Sequence, residues 1–343
     1  MLDELTAQLN TGTDLDPAQC EVAVEQLTTE DIPAESKAEF LTALATKGET
    51  ASELAAFATN LRGRATPVPF DGATTQELLD VCGTGGDGLN TFNISTTVAL
   101  LCAAAGVPVA KHGNRAITSR SGSADVLDAL GIPTTLSPAE AATAIQGKNF
   151  AFLFAPLYHP AFKHIAPARK LCAERGQRTL FNFLGPLLNP ARPTAQLIGV
   201  PRAELCVPMA SVLKNLGIRR GMVVSGAAGE RRMDELSPLG ETAIAEFYQD
   251  RAMAESVWSP ANLTLSPMTL NDLAGGDAEA NATLTRAVLN GEDTGPRREA
   301  VLLNAGAALF VAGAASSITE GWELAAEVID DGRARAKLEE LSA

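Results

Sequence analysis

The sequence predicts an α/β protein: a small all-helical N-terminal domain, residues 1–66, hinged to a larger α/β domain, residues 70–343, with a mostly parallel sheet flanked by helices. Three observations carry this. Apolar residues recur at helical spacing through the N-terminal part of the chain. A stretch rich in proline, Arg64-Ala65-Thr66-Pro67-Val68-Pro69, then breaks that pattern. Beyond it, short apolar runs alternate with helical segments, the order expected of parallel strands covered on both faces.

In order, leucines and alanines mark helices at Leu2–Leu9, Cys20–Leu27, Ala34–Ala45 and Ala51–Leu61, separated by Thr-Gly, Asp-Pro and Ile-Pro breaks. Thr28 and Glu35-Ser36 stand where caps are expected. Prolines push Arg64–Pro69 towards an extended conformation, read as the hinge. Leu78–Cys82 reads as a strand ending in glycines, followed by a helix at Ser95–Ala105 and a second strand at Val107–Ala110. A helix at Ser123–Leu130, a strand at Phe150–Phe154 and helical character at Pro160–Glu174 come next. Strands at Gln196–Val200 and Gly221–Val224 flank a helix at Glu204–Leu216, and helices at Arg297–Ala314 and Ile318–Leu341 close the chain. No internal repeat or low-complexity tract is visible.

Composition narrows the function classes. The 343 residues are 46% apolar and 20% charged, a globular balance, and 27 basic against 41 acidic residues give −14. Such a chain is repelled by nucleic-acid backbones and anionic membranes, although a local basic cluster can still hold a small anion. The acidic start Met1-Leu2-Asp3-Glu4 lacks the pattern of a signal peptide, and the longest apolar run, Val98 to Ala110, is interrupted by Gly106 and Pro108. Cysteines 20, 82, 102, 172 and 206 form no C-x-x-C pair and read as small hydrophobes in a reducing, cytoplasmic setting.

Residues 83–88, Gly-Thr-Gly-Gly-Asp-Gly, contain a G-x-G-x-x-G pattern after a strand. A dinucleotide fold requires that loop to open directly into a helix, with an acidic residue ending the next strand. Here Leu89–Asn93 intervene and the next strand ends in Lys111-His112, so a pyrophosphate cradle is the better reading. Glycines let several N–H groups turn on one anion, and Asn93-Ile94-Ser95-Thr96 add polar groups at the following helix N-terminus. Taken alone, Ser95 or Asn93 serves equally well as a simple cap. Lys111-His112-Gly113-Asn114-Arg115 and Ser119-Arg120-Ser121-Gly122-Ser123 follow the second strand and face the same crevice, because ligands bind beyond the carboxyl ends of such strands. The three histidines, 112, 159 and 164, lack the spacing of a metal site, and no nucleophilic triad is evident.

Gly-Thr-Gly-Gly-Asp, Asn-Ile-Ser-Thr and Lys-His-Gly-Asn-Arg, in this order, resemble the signature of anthranilate phosphoribosyltransferases. The resemblance continues through Phe154-Ala155-Pro156, Tyr158-His159, Arg178–Asn182, Leu184-Gly185-Pro186, Asn189-Pro190, Met233-Asp234-Glu235 and Leu302–Gly306, covering nearly the whole chain. It implies transfer of the phosphoribosyl group of phosphoribosyl pyrophosphate (PRPP) to the amine of anthranilate in tryptophan biosynthesis. It also implies Mg²⁺, a homodimer formed through the helical domain, and helices around 160–176 joining that domain. By resemblance, PRPP is contacted by Gly83, Gly86, Asp87, Thr91, Asn93, Ile94, Ser95, Thr96, Lys111, His112, Gly113, Asn114, Arg115, Ala116, Ile117, Thr118, Ser119 and Ser123. Ser95, Asp234 and Glu235 are the implied metal ligands, and Lys111, Asp234 and Glu235 the implied catalytic residues. Anthranilate is assigned to Gly83, Asn114, Arg169, His112, Tyr158, His159 and Pro186, with Arg169 suited to pair a carboxylate bidentately.

One departure from the family pattern is the longer loop Gly226-Ala227-Ala228-Gly229-Glu230-Arg231-Arg232, whose arginines face either pyrophosphate or solvent. The rivals are a pyrimidine-nucleoside phosphorylase of the same fold, which differs in the glycine loop and has Gly-Gly-Arg in place of Gly113-Asn114-Arg115, and a non-catalytic nucleic-acid-binding relative. The net charge of −14 and the Asp234-Glu235 pair count against the latter. Closure about Arg64–Pro69 is expected to exclude water during the displacement.

Overall fold

In the computed structural model the described residues are 1–70, 77–116, 120–249 and 251–343. The helical domain consists of α1 (Leu2–Asn10), α2 (Pro17–Thr28), α3 (Ala34–Lys47) and α4 (Ala51–Gly63). Asp16 and Thr50 cap α2 and α4 in reciprocal capping boxes with Gln19 and Glu53. The expected cap Thr28 instead ends α2 and turns its hydroxyl back onto the Val24 carbonyl at 2.7 Å, while Pro33 precedes α3 without a side-chain cap.

In the α/β domain the strands make four parallel and three antiparallel pairings, and helices alternate with the parallel strands. The elements run β1 (Leu79–Gly83), α5 (Ile94–Ala104), β2 (Val109–Gly113), α6 (Ser123–Ala129), α7 (Pro138–Lys148), β3 (Phe150–Phe154), α8 (Ala155–Tyr158), α9 (Ala166–Glu174), α10 (Phe181–Leu184), β4 (Ala195–Gly199) and α11 (Cys206–Asn215). They continue with β5 (Arg220–Ala228), β6 (Arg231–Met233), β7 (Thr242–Tyr248), β8 (Ala254–Trp258), α12 (Ala278–Leu289), α13 (Pro296–Val311), α14 (Ile318–Asp330) and α15 (Arg333–Ser342). Strand order is β3-β2-β1-β4-β5-β7-β8, parallel from β3 to β5, with β7, β8 and the short β6 antiparallel.

Alternation along each strand divides the core. Leu79, Val81, Val109, Phe150, Phe152, Leu197, Met222 and Val224 face α5 and the C-terminal helices. From the opposite face, Cys82, Ile198 and Val223 pack towards α11 and the helical domain. The two parts therefore share one continuous apolar cluster.

Several elements differ from expectation. The helix foreseen over Pro160–Glu174 is a 3₁₀ turn, Pro160–His164, followed by α9, because Pro167 fits only a first helical turn. The C-terminal helix breaks at Gly332, whose φ of 87° ends α14. Strands β6, β7 and β8 and helices α7 and α12 were not foreseen. The linker is tied down rather than free: Thr66 donates its N–H to the Tyr158 carbonyl at 2.8 Å and Val68 is buried. On the other side, α9 lies against α3, where the Cys172 thiol reaches the Ala38 carbonyl at 3.6 Å.

Candidate active site

The carboxyl ends of β1 and β2 open into one cavity of about 720 Å³. On one side stands the glycine loop. Gly85, Gly86 and Gly88 have φ of 75°, 87° and 65°, a region side chains avoid, so glycine is required for the loop to turn. Leu89 donates its N–H to Asp87 Oδ1 at 3.0 Å, and an isolated bridge joins Thr91 to Ala274 before α5 begins.

Asp234 and Glu235 reach this loop from the end of β6. Two glycines at strand ends, Gly83 and Gly199, and one within β5, Gly226, clear their path. A Cβ on Gly199 would lie 1.5 Å from the Asp234 carbonyl oxygen, one on Gly83 would lie 2.1 Å from Asp234 Oδ2, and one on Gly226 would lie 2.6 Å from the Glu235 carbonyl. Gly85 donates its N–H to Asp234 Oδ2 at 2.7 Å. Just behind the pair, Asn304 on α13 holds Leu236 by both its N–H and its carbonyl, at 2.8 and 3.0 Å.

The charges here are crowded. Burial, then the neighbouring Asp87, raise the Asp234 pKa, and burial, then Asp234, raise that of Glu235. Lys111, almost fully buried, donates to the Val81 carbonyl at 2.7 Å and lies 3.4 Å from Ser95 Oγ. Burial pulls its pKa down, while Cys82, Asp80 and Glu235 pull it up. The arrangement is a buried ammonium and an acid pair around a glycine loop whose Thr84 and Gly85 N–H groups are already held by Gly199 and Asp234: a place for a polyanion with a cation.

The other side of the cavity is built from side chains. His112 and His159 are buried edge to face, ring centroids 5.1 Å apart. Each gives a hydrogen bond to a backbone carbonyl, of Gly185 and Leu188 respectively, and Nε2 of each has no partner among the described residues. Burial lowers their pKa to about 3 and about 4, so both imidazoles are neutral at pH 7. Phe162 and Phe181 continue the aromatic wall, and the Arg169 guanidinium lies over the Phe181 ring, 5.2 Å from its centroid. An apolar slot with the Arg169 guanidinium and two neutral acceptors suits a flat aromatic acid.

Of the residues expected at the site, the cavity brings together Gly83, Ser95, Lys111, His112, Gly113, Asn114, Ser123, His159, Arg169 and Pro186. Asp234 and Glu235 adjoin it through Gly83 and Lys111. Others are placed differently. Tyr158 is fully buried beneath the wall and donates its hydroxyl to the Leu136 carbonyl at 2.9 Å, so it does not line the cavity. Ile94 belongs to the core, Asn93 accepts from Asn281 at 2.8 Å, and Thr96 is buried with no hydroxyl partner among the described residues. Arg115 is held by Asp125 and Asp128 at 3.0 and 2.6 Å, and the Ala116 N–H goes to Asp125 at 2.9 Å. Ile117, Thr118 and Ser119 lie outside the described residues. Phe162, Lys163 and Phe181 were missed, although Phe181 belongs to a motif that carried the resemblance. Among the described residues no group of three or more His, Cys, Asp and Glu has a metal-site geometry.

Comparison with known proteins agrees with the architecture. Residues 75–335 match the glycosyl transferase family a/b domain, and residues 3–65 match that family's helical bundle domain. The chain is 48% identical over 306 residues to an anthranilate phosphoribosyltransferase of Lacticaseibacillus casei, covering 89% of this chain and 86% of that one. It is 45% identical to the one from Geobacter sulfurreducens, over 99% and 98% of the two chains. The crystal structure of the Thermus thermophilus anthranilate phosphoribosyltransferase superposes with a TM-score of 0.89 at 41% identity, covering 98% of both chains. The Saccharomyces cerevisiae one, in complex with PRPP and Mg, gives 0.86 at 27% identity, covering 99% of this chain and 96% of that chain.

Proposed function

The chain belongs to the glycosyl transferase family, among its anthranilate phosphoribosyltransferases, and we propose that the cavity at the ends of β1 and β2 is its active site. It is an enzyme that transfers the 5-phosphoribosyl group from PRPP to the amine of anthranilate, giving N-(5-phosphoribosyl)anthranilate and pyrophosphate in tryptophan biosynthesis. The observation that carries the site assignment is the division of one cavity into a polar half of amides, Lys111 and an acid pair, and an apolar half holding Arg169.

In this reading the Gly83–Gly88 amides and the Lys111 ammonium receive PRPP, with Gly113, Asn114 and Ser123 at the mouth. Arg169 grips the anthranilate carboxylate, and the neutral His112 and His159 offer lone pairs beside the amine. The amine nitrogen bonds the anomeric carbon as the bond to pyrophosphate breaks, the pyrophosphate leaving with the electron pair and the amine then losing a proton. The protein's part is to align the partners and neutralise charge.

The acid pair fits Mg²⁺. Asp234, Glu235 and Ser95 are oxygen donors, and a half-buried and a buried carboxyl, both with raised pKa values, lack the positive charge a hard cation brings. When bound, Mg²⁺ supplies that charge to the departing pyrophosphate. We further propose residues 1–66, joined by the helices around 160–176, as the helical domain, residues 70–343 as the catalytic one, and a homodimer made through the former. A cytoplasmic setting is proposed on five free, buried cysteines. Among the described residues no helix is long and apolar enough to cross a membrane.

The test is to mix the protein with PRPP, Mg²⁺ and anthranilate and follow loss of anthranilate fluorescence. Turnover requires all three. Full activity in excess chelator, or phosphorolysis of thymidine or uridine instead, overturns the reading.

A further inference from the structure

The longer β5–β6 hairpin delivers two arginines to different places. Ala228 pairs with Arg231 and Ala227 with Arg232 across the turn, so the two side chains leave opposite faces. Arg232 folds back, donating to Ser225 Oγ at 2.9 Å and to the Ser225 carbonyl. Arg231 reaches the glycine loop instead. Its guanidinium donates to the Asp87 carbonyl at 2.7 Å, and a Cβ on Gly88 would come within 2.9 Å of its Nη2. Among the described residues no carboxylate lies at ion-pair distance from Arg231, whereas Arg115, near the other rim, is spent on Asp125 and Asp128. One N–H is thus used to hold the loop, and the charge stays available at its edge. The same loop gathers Asp87, Asp234 and Glu235, an unfavourable surrounding for a ligand as negative as PRPP.

We propose that Arg231 is a positioning residue for the pyrophosphate of PRPP: it clamps the Gly83–Gly88 loop through the Asp87 carbonyl and adds a positive charge at the loop's rim. This rests on the reading that the loop receives PRPP. The hairpin couples the two halves of the donor site, since β6 carries Arg231 at its start and leads into Asp234 at its end.

Steady-state kinetics on three variants test it. Arg231→Gln raises the KM for PRPP about tenfold, the scale of one charge-assisted contact, with the KM for anthranilate and the melting temperature close to the parent. Arg231→Lys, which keeps the charge and loses the planar fork, restores part of the affinity. Arg232→Gln leaves both KM values unchanged. Calorimetric binding of inorganic pyrophosphate with Mg²⁺ weakens in parallel in Arg231→Gln. A KM for PRPP within about twofold of the parent, or an equal rise in both KM values, overturns the proposal. Should Arg231→Gln fail to fold, Arg231→Lys decides: an unchanged KM for PRPP and unchanged pyrophosphate binding overturn it too. A parent protein that turns over no PRPP with anthranilate would instead sink the reading of the whole site.

Discussion

The two halves of the cavity are built by different means. The half proposed to take PRPP is made of backbone: positive-φ glycines at 85, 86 and 88, strand glycines at 83, 199 and 226, and the acids those glycines admit. The half proposed to take anthranilate is made of side chains from β2, α9, α10 and the turn between α8 and α9, with aromatic rings in contact. A polyanion is best held by many preorganised N–H groups, which only close backbone approach supplies. A small aromatic acid needs area and one directed charge. Substitutions should therefore act in separable ways on the two sides.

The largest effect is expected at the acid pair. Asp234→Asn with Glu235→Gln lowers kcat/KM by a hundredfold or more, on the order of 3 kcal/mol, without lowering the melting temperature, because two mutually repelling carboxyls, one buried and one half-buried, are removed. Normal turnover of that variant would place the chemistry elsewhere.

On the other side, Arg169→Ala raises the KM for anthranilate tens- to a hundredfold, about 2 to 3 kcal/mol, and leaves the KM for PRPP almost unchanged. Arg169→Lys recovers only part. Equal damage to both KM values would make Arg169 a support for the cavity as a whole and erase the contrast between the halves.

The histidines add a pH signature to the half proposed to take anthranilate. Their folded pKa values, about 3 for His112 and about 4 for His159, lie below the ordinary 6.5. The unfolded chain takes up those protons first as pH falls, so their contribution is full above about pH 6.5 and is lost on acidification towards pH 4. Asp80, pushed up to about 6 mainly by burial, acts in the opposite sense, so the comparison is with a variant. His159→Gln loses less stability than the parent between about pH 7 and pH 5; identical losses in thermal melts would refute the assignment.

The smallest effect separates the wall from what lies beneath it. Tyr158→Phe leaves the Leu136 carbonyl without its donor and costs about 1 kcal/mol in chemical denaturation, with the KM for anthranilate unchanged. A shifted KM would return Tyr158 to the binding surface.

Legibility in the sequence followed the same division. The glycine loop, Lys111 and the order of β1, α5 and β2 were readable because each depends on residues adjacent in the chain. Signals for β7 and α12 were present in the sequence: Thr242–Tyr248 carries threonine, isoleucine, phenylalanine and tyrosine, residues that favour strands, and Asp277 caps a segment with Ala282, Thr285 and Val288 on one buried face. Those for β6 and β8 were not, since three residues and a largely exposed Ala254–Trp258 carry no apolar period. The division of Arg231 from Arg232 follows from hairpin register, which cannot be seen before the pairing of β5 with β6 is known.

By itself the sequence determined the α/β class, the helical N-terminal part, the glycine loop after β1 and, through several long motifs, the family. These rest on local backbone preferences and periodicity, which neighbouring residues impose on one another. Only the tertiary structure decided that Asp234 threads between Gly83 and Gly199, that Asn304 braces Leu236, that Tyr158 leaves the cavity and that Arg231 meets Asp87. Each joins side chains or backbone far apart in the chain, and only the packed sheet with its strand-end glycines sets such approaches.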